Sequence, residues 1–176
     1  GRDRAAMALP YAQDKVIEAI TEVNKNVVVL IVSGNAVEMP WIDKVDGVVE
    51  TWFLGSQAGH AIADVLLGKV NPSGKLPFTF PVKLEDNGAH ALNAYHKDSL
   101  SVEYKEGIYV GYRWAEKQNI KPLFAFGHGL SYTTFEYGEA KCSKSGSGYK
   151  VTLNVTNTGA REGKEIVQLY ISDEES

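Results

Sequence analysis

Apolar and polar residues follow one rhythm in the first part of this chain and another in the last. Val16, Ile17, Ile20 and Val23 recur at helical spacing, with Asp14, Lys15, Glu18 and Glu22 outside the stripe. Pro10 opens this helix at a position that needs no N–H donor, and Asn24-Lys25-Asn26 ends it. The run at 27–32 is unbroken, apolar and rich in β-branched side chains. It is too short for an average helix and predicts a strand covered on both faces. Residues 47–53 repeat the theme. A second helix follows at about 57–67, with Ala58, Ala61, Ile62, Val65 and Leu66 on one face and Gly68 placed to stop it at positive φ. Strand and helix alternate, which predicts a largely parallel sheet with helices on its faces.

From Ser131 the period becomes two. Residues 135–141 read as a strand and 143–148 as a flexible turn. Val151, Leu153 and Val155 alternate with Thr152, Asn154 and Thr156, and Val167, Leu169 and Ile171 alternate with Gln168, Tyr170 and Ser172. Such alternation predicts half-buried antiparallel strands, turned at Asn157-Thr158-Gly159. The expected domains are therefore residues 1–130 and 131–176.

Segment 55–81, GSQAGHAIADVLLGKVNPSGKLPFTFP, runs the second helix into turn chemistry at Asn71-Pro72-Ser73-Gly74. Pro77 and Pro81 then confine residues 76–80 to a short or edge strand. This segment resembles the signature of the α/β sandwich domain in glycoside hydrolase family 3, the family of β-glucosidases and β-xylosidases. The resemblance continues in NAVEMPW at 35–41, YKEGIYVGYR at 104–113 and PLFAFGHGLSYTTF at 122–135. Residues 151–173 resemble the opening strands of the fibronectin type III-like domain of three-domain members, and 82–101 carries the least family pattern. The fold implied is α/β, a largely parallel sheet sandwiched by helices and incomplete at its N-terminus. The first strands of an Ig-like, fibronectin type III-like β-sandwich follow it.

The resemblance also says what to expect outside these residues. Family members begin with a (β/α)8 barrel that carries the nucleophilic aspartate, and such a barrel takes about 250 residues. A sandwich of the second kind needs about seven strands. The chain is thus expected to be a fragment of a larger polypeptide, cut at both ends. Gly1-Arg2-Asp3-Arg4 resembles the end of the family's E-G-x-D-R segment, whose glutamate is the general acid/base. That glutamate is expected directly before Gly1. No catalytic residue is then expected within the chain, and Asp3 and Arg4 become candidates for orienting the acid and tuning its pKa.

The residues themselves add less. A net charge of −4 with both signs mixed argues against nucleic acid or an anionic membrane as partner. No apolar run approaches the length of a membrane span. His60, His90, His96 and His128 lack the i, i+4 spacing of a helical zinc site, so neither metal nor cofactor is expected. The lone Cys142 reads as a buried small apolar residue. Asn154-Val155-Thr156 fits a glycosylation sequon placed mid-strand. Glycoside hydrolysis with retention needs two carboxyls about 5–5.5 Å apart. Glu38, Asp43, Asp86, Glu103 and Glu106 lie in loops, but no spacing singles out a pair. Glu106 and Arg113 pair only if Gly107 or Gly111 bends the segment between them. Trp41, Trp52 and Trp114 sit among apolar neighbours and read first as core. Trp41 is the candidate sugar-site wall, since its loop follows a buried strand.

Two functions follow as expectations. The first is part of a retaining β-glycosidase, a β-glucosidase acting on terminal β-D-glucosyl residues of a glucoside or β-linked oligosaccharide, with the barrel of the same protein as partner. β-Xylosidase and β-N-acetylglucosaminidase are the alternatives within the family. The second is a non-catalytic carbohydrate-binding or spacer module. A polysaccharide-degrading member is expected to be periplasmic or secreted. The isolated chain is expected to be inactive and to self-associate through open sheet edges.

Overall fold

The computed structural model describes residues 6–95 and 100–173. Four α-helices and six strands are formed among them. The helices are α1 (Gln13–Val23), α2 (Ala58–Leu66), α3 (Gly88–Ala91) and α4 (Tyr112–Lys117). The strands are β1 (Val28–Ile31), β2 (Gly47–Glu50), β3 (Phe135–Tyr137), β4 (Lys141–Ser145), β5 (Gly148–Thr152) and β6 (Val155–Asn157). The chain divides into two compact units. One takes in the residues through 59 together with 76–128, and the other takes in 60–75 together with the residues from 129 on.

In the first unit β1 and β2 pair in parallel, Val28 opposite Gly47 and Ile31 opposite Glu50. The apolar runs predicted both strands, and the alternation of strand and helix predicted a parallel sheet. The prediction that β1 is covered on both faces is not met within this chain. Val29 and Ile31 face the core, while Val28, Leu30 and Val32 remain exposed. The core gathers Met7, Ile31, Ala36, Val37, Met39, Trp41 and Phe80, with Ile17, Trp52, Phe78 and Phe124 packed around them. Phe78 stacks on Phe80 at 5.3 Å between centroids, and Trp52 meets both rings. The Pro-bracketed run at 76–80 forms no full strand, because Pro77 and Pro81 cannot donate to a ladder. It makes a single antiparallel bridge, Phe80 opposite Phe124, with Leu76 bonded to Gly127 and His128.

Helix α1 is turned away from the face its apolar stripe predicts. Ile17 meets the core and Thr21 is buried, whereas Val16, Ile20 and Val23 are exposed. On that inward face Asp14 makes a polar contact, described below. Pro10 does not open the α-helix itself. It starts a 3-10 turn, Pro10–Ala12, in which Tyr11 and Ala12 stand at φ of 56° and 57°.

In the second unit, β3 pairs antiparallel with β6, and β4 with β5. The predicted turn at 143–148 is tighter than expected, since β4 runs to Ser145 and β5 begins at Gly148. Both strands of this hairpin are exposed throughout. Cys142 is exposed with them, contrary to the buried reading. Asn154 is exposed in the two-residue break between β5 and β6, not mid-strand. Residues 166–171, predicted as a strand, form none among the described residues. Gly68 stands at φ 68°, as a helix stop needs. No helix among the described residues is long and apolar enough to cross a membrane.

Candidate functional site

The loop between β1 and β2 holds the segment that leads into α1. Met7 is buried beside Val37, Met39 and Trp41. Its carbonyl accepts the Glu38 N–H at 3.1 Å. Seven residues later the Asp14 carboxylate accepts the indole N–H of Trp41 at 2.6 Å. A donor this close to an ionised acceptor makes a strong bond, stronger where water is excluded. Trp41 is 0% exposed, so it offers no face to a pyranose ring in this chain. The residue singled out as a sugar wall instead ties α1 to the loop. Asp3 and Arg4, the candidates for tuning the acid, lie outside the described residues, as does His96.

The carboxyl ends of β1 and β2 form the second feature. Thr51 donates its hydroxyl to the Ile31 carbonyl at 2.8 Å, and Ser33 closes a tight turn onto Asn35. Gly34 lies under the Phe53 ring, where an added Cβ would stand 2.7 Å from Cε2. Glu50 ends β2. Its Oε1 accepts the Trp52 N–H at 3.0 Å, which supports Trp52 at φ 53°. Its Oε2 is buried without a hydrogen-bond partner among the described residues. Burial pushes the carboxyl above the usual glutamate range, against the opposing pull of the Trp52 and Ser33 amides. Sequence reasoning passed over Glu50. The signal was a lone carboxylate closing the apolar strand Gly47-Val48-Val49, at the end of a parallel strand where ligands bind in such sheets.

The loop carboxylates named from sequence are not gathered into a site. Asp43 is exposed in a 3-10 turn, Ile42–Lys44. Asp86 accepts the Lys83 N–H at 3.2 Å, and Glu103 pairs with Lys105 at 3.4 Å. Glu38 is half-buried beside Met7. Gly107 and Gly111 do bend the segment at positive φ, yet Glu106 and Arg113 form no ion pair among the described residues. Glu106 Oε2 and the Trp114 indole nitrogen are buried and unpartnered there. His60, His90 and His128 are exposed, and the described residues hold no cluster of three metal-ligating side chains.

A sequence profile of the glycosyl hydrolase family 3 C-terminal domain matches residues 1–132. The chain belongs to glycoside hydrolase family 3. Relatives within the family are similar over its whole length. A β-glucosidase of Bacteroides ovatus is 54% identical over 181 residues, covering 99% of this chain and 24% of the relative. The thermostable β-glucosidase B of Acetivibrio thermocellus is 51% identical over 180 residues, covering 100% of this chain and 24% of the relative. Among solved structures, DesR, a β-glucosidase from Streptomyces venezuelae in complex with D-glucose, superposes with a TM-score of 0.86 at 42% identity, over 90% of this chain and 21% of that one. β-Glucosidase 3B from Thermotoga neapolitana in complex with glucose gives 0.83 at 38%, over 93% and 24%. The chain therefore spans about a quarter of the length of these family 3 relatives.

Proposed function

We propose that this chain works as part of a retaining β-glucosidase that removes terminal β-D-glucosyl residues. The observation that carries the proposal is that relatives more than half identical, matched across 99% and 100% of the chain, are β-glucosidases. In this reading a barrel aspartate attacks the anomeric carbon. A glutamate directly before Gly1 protonates the leaving oxygen and later activates water. Asp3 and Arg4 orient that glutamate. The antiparallel strands β3 to β6 open a fibronectin type III-like domain, a reading supported by their period-two pattern. The chain frames the acid and supplies neither reacting carboxyl.

The test uses the polypeptide that joins this chain to its barrel. It is expected to cleave aryl β-glucosides and cellobiose, with β-glucose as the first product seen by proton NMR. Release of α-glucose first overturns retention. Preference for aryl xylosides or N-acetylglucosaminides moves the enzyme within its family. No turnover of any of the three favours the spacer module.

A further inference from the structure

Helix α4 has a buried face and an open one. Trp114 is buried, with its ring against Gly88. Tyr112, Ala115, Glu116 and Asn119 recur at i, i+3, i+4 and i+7 along the helix and the turn that ends it, and they line one wall of a cleft of about 320 Å³. Phe126 stacks on Tyr112 at 5.6 Å between centroids, which holds the ring in place. Asn119 stands just past the helix at φ 52°. Its N–H bonds the Glu116 carbonyl at 3.1 Å, and the Ile120 N–H reaches back to the Ala115 carbonyl at 2.8 Å, a left-handed helix stop. Pro122 and Ala125 extend the apolar lining.

Glu116, Asn119 and Lys121 line the same cleft and are exposed. Their side chains make no ion pair or hydrogen bond among the described residues. Glu116 and Lys121 carry opposite charges on one cleft and do not pair, so each is open to a ligand. We propose that this cleft binds a neutral pyranose, as one unit of a β-glucoside chain. The choice of β-glucosides among neutral sugars rests on the proposed function. A pyranose has C–H groups on its faces and hydroxyls at its edge, which suits an apolar lining with a polar rim. Each hydroxyl donates and accepts. The Asn119 amide offers both, Glu116 offers acceptor oxygens and Lys121 offers donors. The two charges balance, so neither an anion nor a cation is favoured. A wholly apolar ligand would strip these groups of water without replacing its hydrogen bonds. The volume lies in the range of small-molecule sites, which are mostly apolar with a few placed polar groups.

The test needs a readout confined to the cleft. In the complete enzyme, 3-fluorotyrosine is placed at Tyr112, and its fluorine resonance is followed by NMR during titration with thiocellobiose, whose sulfur link resists hydrolysis. A saturable shift is expected, with Kd near about 1 mM for so few hydrogen bonds. The same label at the exposed Tyr149 is expected not to move. Glu116→Ala with Asn119→Gly removes two rim groups, and glycine keeps the left-handed backbone at ease. This double variant is expected to bind about tenfold more weakly or worse. No shift at concentrations well above the expected Kd overturns the proposal. An equal shift in the double variant also overturns it, since the sugar then sits elsewhere. So does a stronger response to glucuronate, which would make Lys121 the receptor for an anion. If the double variant melts early, Lys121→Ala, outside the helix, takes its place under the same criteria. Hydrolysis of 4-nitrophenyl β-glucoside by the unlabelled enzyme tests the proposed function separately. Absence of turnover there counts against that function, while the fluorine titration decides the cleft.

Discussion

The Lys75 ammonium lies 3.2 Å from Glu165 Oε1, in a pair whose side chains are only 15% and 14% exposed. Lys75 also donates to the Gly129 carbonyl at 2.7 Å, and the Tyr137 hydroxyl donates to the same Glu165 oxygen at 2.9 Å. Close by in sequence, the Asn71 amide donates to the Glu162 carbonyl and accepts from Ser131 and Tyr132. Arg161 donates to the Gly68 carbonyl at 2.9 Å. The family's N-P-S-G-K turn is thus sewn to β-strand-bearing sequence about sixty to ninety residues away. Lys75→Met leaves Glu165 with its charge and without its counter-ion. The expected cost is about 2 kcal/mol in urea unfolding. An unchanged midpoint would show that the pair contributes nothing net.

The same pair predicts a pH dependence. Burial alone pushes the Glu165 carboxyl up, but the hydrogen bonds from Tyr137 and Lys75 and the lysine's charge outweigh it and hold the group below the usual glutamate range. A lowered folded value contributes stability above the unfolded one, lost as pH falls through the folded value. Glu165→Gln is expected to flatten the acid limb of a melting-temperature profile between about pH 5 and pH 3. An unaltered slope there refutes the assignment.

Glu50 predicts the opposite sign. Its carboxyl is pushed up by burial, so its contribution is complete below the usual glutamate range. That contribution is lost as pH rises through the raised value. Glu50→Gln keeps an acceptor for the Trp52 N–H and removes the charge. At pH 7 it is expected to melt roughly 2–4 °C higher, after allowance for partial screening, with the gain vanishing near pH 4. A variant less stable than wild type at pH 7 would mean that Oε2 has a partner supplied from elsewhere.

What the sequence reveals here is local. The apolar runs disclosed β1 and β2, and Gly68 disclosed the stop of α2, because these depend on neighbouring residues alone; the parallel sense came from the alternation of strand and helix. Periodicity marks an apolar stripe without saying which face a tertiary contact turns inward. In α1, Asp14 bonds Trp41, Ile17 meets the core and Thr21 is buried, while Val16, Ile20 and Val23 are exposed. Alternation at 166–171 marks a strand's composition, yet no strand forms there among the described residues, because alternation fixes faces and not partners. Trp41 was visible as an unusual loop aromatic, but its partner lies 27 residues away. Glu50 escaped notice because its loss of water depends on the fold around β2.

Backbone strain between Met7 and Asp14 should be measurable. Ala12 is exposed and stands at φ 57°, where glycine is at ease. Ala12→Gly is expected to stabilise the chain by about 1 kcal/mol, less the greater freedom glycine has when unfolded. A destabilised variant would show that residue 12 is not left-handed in solution.

Two glycines should respond oppositely to alanine. A Cβ on Gly129 would run into the Gly74 carbonyl oxygen, a backbone atom that cannot swing aside. Gly129→Ala is expected to cost more than about 2 kcal/mol. A Cβ on Gly59, within α2, meets nothing within 4 Å. Gly59→Ala is expected to gain about 0.5–1 kcal/mol from helix propensity. Equal effects in denaturant titrations would contradict the close approach at Gly74.

The isolated chain is expected to self-associate. Ile171 is 92% exposed and Val23 87% exposed, and Val16, Ile20, Ile166, Val167 and Leu169 are exposed as well. Residues 166–171 alternate apolar with polar side chains and lie outside every strand among the described residues. Such a segment is a template for another chain's edge. In size-exclusion chromatography the apparent mass should rise with concentration. Lysine at both Val167 and Leu169 should lower it, because a charged edge strand resists pairing. If wild type and the double variant both run as concentration-independent monomers, these apolar positions are masked in solution and the open-edge argument fails.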